Sequence, residues 1–281
     1  MNKPLYFCAF IFTAFLFSCG GLEKEIDLEL PAYESQVVVE CYLQPGLPYA
    51  LALTKSAAYF DPFPTDSFDF LESILEDSAE VTIMHEGETI KLENQLYFDQ
   101  EAQRLYNYFS PDIVPEDFEN NFTLSIVTKD GREVRAFTRI LPVVPIDSVV
   151  VEFNPEVDTL ARVLAYVYED PTEDDYYRRM LHVGSLDTVP DLDFTLNDDF
   201  VDDDILVFGT GFDFMVGDTI INSIFHIDRA YFDFLESITF AIDANGNPFG
   251  QPAAINSNLE GDAIGIFTGL SYDRVETIIE K

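Results

Sequence analysis

Short runs with an apolar residue at every second position, cut by turn-forming residues, constrain this chain more than any other feature. Ala79-Glu80-Val81-Thr82-Ile83-Met84 alternates, breaks at Glu86-Gly87-Glu88, and resumes over Thr89-Ile90-Lys91-Leu92. An extended strand points successive side chains to opposite faces, so this pattern makes one face apolar and predicts a hairpin. Phe122-Thr123-Leu124-Ser125-Ile126-Val127, the turn Lys129-Asp130-Gly131, and Glu133-Val134-Arg135-Ala136-Phe137-Thr138 predict a second. Val37-Val38-Val39 and Ala50 to Thr54 flank Gln44-Pro45-Gly46-Leu47-Pro48, two strands and a turn. The fold class is therefore mainly β, opening with an immunoglobulin-like β-sandwich over 36–143.

Leu141-Pro142-Val143-Val144-Pro145 punctuates the chain, and a second β-rich domain with one short helix is expected over 144–281. Its strands are less regular: 148–153, 161–168, 176–183 and 204–208. Ala230, Phe234, Leu235 and Ile238 fall at helical spacing behind Asp228, which predicts a helix over 228–240 with Asp228 as its N-cap. Residues 61–77, rich in Pro, Phe and acids, read as a long insertion with a short helix near Phe68-Asp69-Phe70-Leu71. Residues 243–269 read as loop and short strand.

The amino terminus has a different character. Lys3 precedes an apolar run from Leu5 to Phe17, and Leu16-Phe17-Ser18-Cys19 closes it. A positive start, a short apolar core and a small residue make an export signal, too short to span a bilayer as a resident helix. The cysteine after Ser18 fits a lipobox, with Phe17 bulkier than is usual there. The reading is a signal peptide over 1–18, lipidation of Cys19, and a tether over 19–35. A plain secretory signal with a coincidental cysteine is the competing reading. Several acyl chains hold a protein on a membrane where one does not. Of three cysteines, Cys8 leaves with the signal and Cys19 carries lipid. Cys41 is then alone, in a strand-like run where a small buried hydrophobe is expected.

Net charge is −37 for the full chain, and −38 once residues 1–18, with Lys3 as their sole charge, are removed. Such a polyanion repels nucleic acid and anionic headgroups, so nucleic acid is excluded as a partner and the membrane is reached through lipid. Composition alone points to cations, basic surfaces or neutral molecules as partners; solubility explains the same acidity.

Asp198, Asp199, Asp202, Asp203 and Asp204 crowd carboxylates into one loop, and hard oxygen ligands suit calcium. Their spacing matches no EF-hand, so a solvated acidic loop is the first reading and a weak calcium site the second. Asp170 to Asp175 form a second acidic turn ahead of Tyr176-Tyr177-Arg178-Arg179, where a strand with an inward tyrosine is expected. His85, His182 and His226 lie far apart, which gives zinc no support. No nucleophile elbow, phosphate loop or dinucleotide fingerprint appears. The 26 Phe and 14 Tyr read mostly as core, and the absence of Trp speaks against a sugar platform.

Several segments resemble a family of Bacteroidota outer-membrane lipoproteins of the DUF4249 type, a domain of unknown function. They are Glu25-Ile26-Asp27-Leu28, Val37-Val38-Val39-Glu40, Ala79 to Ile83, Ile146-Asp147-Ser148-Val149 and Asp175-Tyr176-Tyr177-Arg178. The tail adds Pro248-Phe249-Gly250-Gln251-Pro252, Asn256 to Gly261 and Gly265-Ile266-Phe267, with Gly261-Asp262 where the family usually has two glycines. The resemblance implies a non-enzymatic lipoprotein encoded beside a TonB-dependent receptor, an accessory that helps capture a ligand. It brings no catalytic residues and no cofactor. The insertion and the tail, with Pro248, Phe249, Asn258 and Phe267, are then the expected partner-facing surfaces. A calcium- or metal-binding surface lipoprotein and a structural or adhesion envelope protein are the alternatives.

Overall fold

A computed structural model describes residues 34–57, 66–100, 102–168, 174–198, 204–244 and 254–281. Cys19, Asp199, Asp202, Asp203, Pro248 and Phe249 lie outside these residues, as does most of the tether. Eight strands form the first sheet: β1 (Val37–Leu43), β2 (Pro48–Lys55), β3 (Glu80–His85), β4 (Glu88–Asp99), β5 (Arg104–Ile113), β6 (Phe122–Val127), β7 (Glu133–Thr138) and β15 (Ala263–Gly269), ordered β15-β1-β2-β5-β4-β3-β6-β7. The long β4 pairs with β3 through Leu92 and with β5 from Glu93 onward, with a register shift between Asn94 and Tyr97. A strand that changes partner part-way turns one sheet into two layers. Val37, Val39, Cys41 and Leu43 of one face of β1 meet Val81, Ile83, Phe122 and Leu124 in a common core. The expected hairpins are β3–β4 and β6–β7.

Two four-stranded sheets make a second sandwich. One is ordered β11 (Leu192–Asn197), β10 (Tyr176–Val183), β14 (Thr219–Ile227) and β16 (Ser271–Ile278). In the other, β9 (Leu160–Tyr168) pairs with β8 (Ile146–Phe153) along one edge and with β12 (Ile205–Gly209) and β13 (Phe214–Met215) along the other. Ala165 and Val167 pack on Tyr177, Phe208 and Ile224 between the sheets. β14 is buried on both faces, so its sequence lacks the alternation that would announce it.

Helix α1 (Ser67–Ile74) lies within the expected insertion, and α2 (Arg229–Ala244) replaces the shorter helix read over 228–240. Asp228 caps α2: its Oδ1 accepts the Tyr231 N–H at 2.7 Å. Tyr231 and Phe234 of α2 pack with Phe225 and Ile227 of β14 and Ile266 of β15, which joins the second sandwich to the first.

The tail is loop and then strand, as read from the sequence, over the residues described. β15, from beyond the expected boundary at 143–144, runs parallel to β1 along all seven residues. Gly265 permits this approach, because its φ is +125° and a Cβ there would sit 1.9 Å from the Val39 carbonyl oxygen. Residues Ser35 to Lys281 form one compact unit.

Candidate ligand cleft

Alternation along three neighbouring strands builds one wall of a cavity of about 360 Å³. On β10, Tyr177, Arg179 and Leu181 enter the sandwich core, so Arg178, Met180 and His182 emerge on the other face and line the cavity. Register sets Arg178 beside Phe225 and Phe225 beside Tyr272; the next row is Met180, Ser223 and Arg274. The first sheet supplies the other wall: Tyr42 from β1, Ala50 from β2, and the cross-strand pairs Tyr97–Tyr106 and Asp99–Arg104 from β4 and β5. Tyr231 of α2 and Asp193 of β11 complete it.

Three guanidiniums line this cavity, and each is held by the protein. Arg178 donates from Nε and Nη2 to the two oxygens of Asp193 at 2.8 and 2.6 Å, and from Nη1 to the Tyr231 hydroxyl at 2.8 Å. Arg104 lies 4.3 Å from the Tyr42 ring centroid, and its Nη1 donates to Glu40 at 3.0 Å. Arg274 sits 4.7 Å from the Tyr272 centroid and donates from Nε to Ser223 Oγ at 2.8 Å. Stacking on an aromatic face fixes a guanidinium plane and directs its N–H groups sideways.

Tyr42, Tyr106 and Tyr231 are neutral donors at physiological pH. Burial raises the Tyr42 hydroxyl well above its ordinary range, with Tyr231 adding to the effect and Arg104 opposing it. Burial likewise raises Tyr106 and Tyr231, again against Arg104 in both cases. The phenols and paired guanidiniums of this wall offer orientation and hydrogen bonds.

Those residues singled out in the sequence that the structure describes fall elsewhere. Phe267, expected to face a partner, is fully buried in the first core. Asn258 is tied inward: its Nδ2 donates to the Phe267 carbonyl at 2.7 Å and its Oδ1 accepts the Phe267 N–H at 3.1 Å. Ser257 Oγ donates to the Gly265 carbonyl at 2.8 Å. Ser257 and Asn258 thus form a latch that fastens β15, with their side chains spent on backbone. Of the acidic cluster, Asp198 binds the Asp175 N–H through Oδ2 at 2.9 Å, while Asp204 is exposed. Cys41 is buried, as expected, and burial pushes its thiol far up.

His85, Glu86 and Asp117 bring potential ligand atoms within 4.8 Å of one another, a grouping invisible in the spacing of histidines. Asp117 is already occupied: Oδ1 accepts the Glu119 and Asn120 N–H groups, and Oδ2 accepts Asn120 Nδ2 at 2.9 Å and faces His85 Nε2 at 3.1 Å. Asn120 also donates to Glu86 at 3.1 Å. The cluster fastens the β6 approach loop to the β3–β4 turn.

A sequence signal for the cleft does exist. Arg104-Leu105-Tyr106 and Tyr272-Asp273-Arg274 each place an arginine and a tyrosine two residues apart, hence on one face of a strand. It surfaces only once both segments are known to be strands.

The family described as "Domain of unknown function (DUF4249)" matches residues 23–276, and the chain belongs to it. No curated protein matches the chain. Among solved structures, a chain of a cytokine receptor complex is similar at 10% identity and a TM-score of 0.26, covering 69% of this chain and 85% of its own. A chicken TCR structure is similar at 12% identity and a TM-score of 0.18, covering 65% and 93%. Likenesses this loose carry no argument about fold or function.

Proposed function

We propose that the chain is a non-enzymatic lipoprotein, anchored in the outer membrane of a Bacteroidota cell through Cys19, that captures a ligand in its cleft for a TonB-dependent receptor. The observation that carries this reading is the cleft itself. Two sheets from opposite parts of the chain contribute aromatic rings and held guanidiniums to one cavity, a concave site of the size that small ligands occupy. The lipobox supports the anchor, and the likeness to lipoproteins encoded beside such receptors supports the partner. Membership of the family leaves the role open. The test is affinity purification of the tagged protein from native membranes in mild detergent, with and without crosslinking. A large β-barrel receptor recovered in near-equal amount is the expected result. Recovery of the lipoprotein alone in both conditions refutes the receptor partnership.

A further inference from the structure

We propose that the cleft takes a small, neutral, flat ring compound that accepts a hydrogen bond from the Tyr106 hydroxyl, an inference that rests on the capture reading above. That hydroxyl is the observation that carries it. Tyr106 is 5% exposed and lines the cavity, yet its oxygen has no hydrogen-bond partner among the described residues. Nor is the oxygen sealed in, so a molecule in the cavity can reach it. Polar groups this deep normally have a partner, and a hydroxyl without one favours a ligand that supplies it. Three other tyrosines of the lining have theirs engaged. Tyr42 donates to Glu40 at 3.1 Å, Tyr231 accepts from Arg178 at 2.8 Å, and Tyr272 accepts from Gln44 Nε2 at 3.4 Å.

The charged groups of the wall are also engaged within the protein. Arg178 binds Asp193 and Tyr231, Arg104 binds Glu40, Arg274 binds Ser223, and Asp99 accepts the Ala102 N–H at 3.0 Å. A charged ligand would give up its water here for groups that already have partners, whereas a neutral one leaves these contacts intact. Shape sets the body of the ligand. Tyr97 and Tyr106 face each other across β4 and β5 with ring planes only 24° apart, and Met180 and Phe225 come from the other sheet. Such walls suit a flat apolar body, while a sugar would bring several hydroxyls to polar groups that are already taken. About 360 Å³ lies at the small end of the range for ligand sites, matching one or two fused rings.

The test is equilibrium dialysis of the full mature chain, carrying Cys19→Ser to leave off the lipid, against four naphthalenes of matched shape. Acetylnaphthalene is neutral with a carbonyl acceptor, ethylnaphthalene is neutral without one, naphthoate is an anion and naphthylmethylammonium a cation. Both neutral compounds are expected to bind saturably, and acetylnaphthalene more tightly than either ion. Tyr106→Phe is expected to weaken acetylnaphthalene about three- to tenfold, the loss of one neutral hydrogen bond. Ethylnaphthalene binding, unchanged in that variant, shows that it remains folded. Either ion binding more tightly than acetylnaphthalene overturns the neutral assignment. Tyr106→Phe weakening both neutral compounds alike, or neither, overturns the hydrogen bond. Both of those results leave the capture reading standing. Absence of saturable binding by all four overturns the ring assignment as a whole, and the capture reading is then decided separately by the receptor purification above.

Discussion

Arg179 is a fully buried guanidinium with no carboxylate partner among the described residues. It donates from Nε and Nη2 to Asn222 Oδ1 at 3.2 and 2.6 Å, and from Nη1 to the Gly209 carbonyl at 2.9 Å. Burial pulls its pKa down to about 10, so it stays a cation at neutral pH. One neutral amide oxygen therefore solvates most of a charge inside the second sandwich. Asn222→Ala removes that oxygen, and Asn222 Nδ2 has no partner to lose. Hydrogen bonds to charged groups contribute about 1.5–3 kcal/mol each, and two that share one acceptor add less than twice that. Stripping a buried charge of its partner costs about 3–5 kcal/mol. The expected loss is about 3–4 kcal/mol. At about 2–4 °C per kcal/mol for a chain of this size, Tm falls by roughly 10 °C. The double variant Arg179→Met/Asn222→Leu removes donor and acceptor together and should lie within about 1–2 kcal/mol of wild type, with the Gly209 carbonyl as the remaining loss. Urea unfolding, read at constant m, measures all three proteins. A double variant as unstable as Asn222→Ala, or an Asn222→Ala loss below about 1 kcal/mol, refutes the reasoning.

Four shorter predictions follow from other contacts. Gly265→Ala drives a Cβ into the Val39 carbonyl and should unpair β15 from β1, seen as fast hydrogen exchange along Val37 to Leu43 with β6–β7 unchanged. Asn258→Ala removes two hydrogen bonds to the Phe267 backbone and should cost about 1–3 kcal/mol in the same unfolding assay; a loss within error refutes the latch. Asn120, first, and the Glu119 and Asn120 N–H groups hold the Asp117 carboxyl down at about 2, against an ordinary 3.8. The stabilisation it gives is therefore full above 3.8 and lost as pH falls toward 2, and Asp117→Asn should flatten hydrogen exchange of the 117–120 loop across that window. Mature lipidated protein should react with a thiol reagent only when denatured, yielding one thiol from Cys41; a second thiol there would mean Cys19 carries no lipid.

Alternation determined the β3–β4 and β6–β7 hairpins of the first sandwich, because a half-buried strand must show every second residue to the core; β5 went unread and its pairings with β2 and β4 came only from the structure. Local chemistry likewise announced the Asp228 cap, and the buried Cys41 was legible from its apolar neighbours. β14 was illegible because covering both faces erases the period. The tail misled for a related reason: its polar residues look like surface, yet Asn258 and Ser257 serve as backbone partners for a strand that the rest of the chain must first position. Arg178 and Arg179 mark the division most clearly. As neighbours in sequence they are equivalent; the pleat sends one to the cleft and the other into the core, and the environments that await them come from strands far away along the chain. Net charge is a property of the sequence. Which side chains share one cleft was decided only when two sheets brought Arg104 and Arg274 to face the same space.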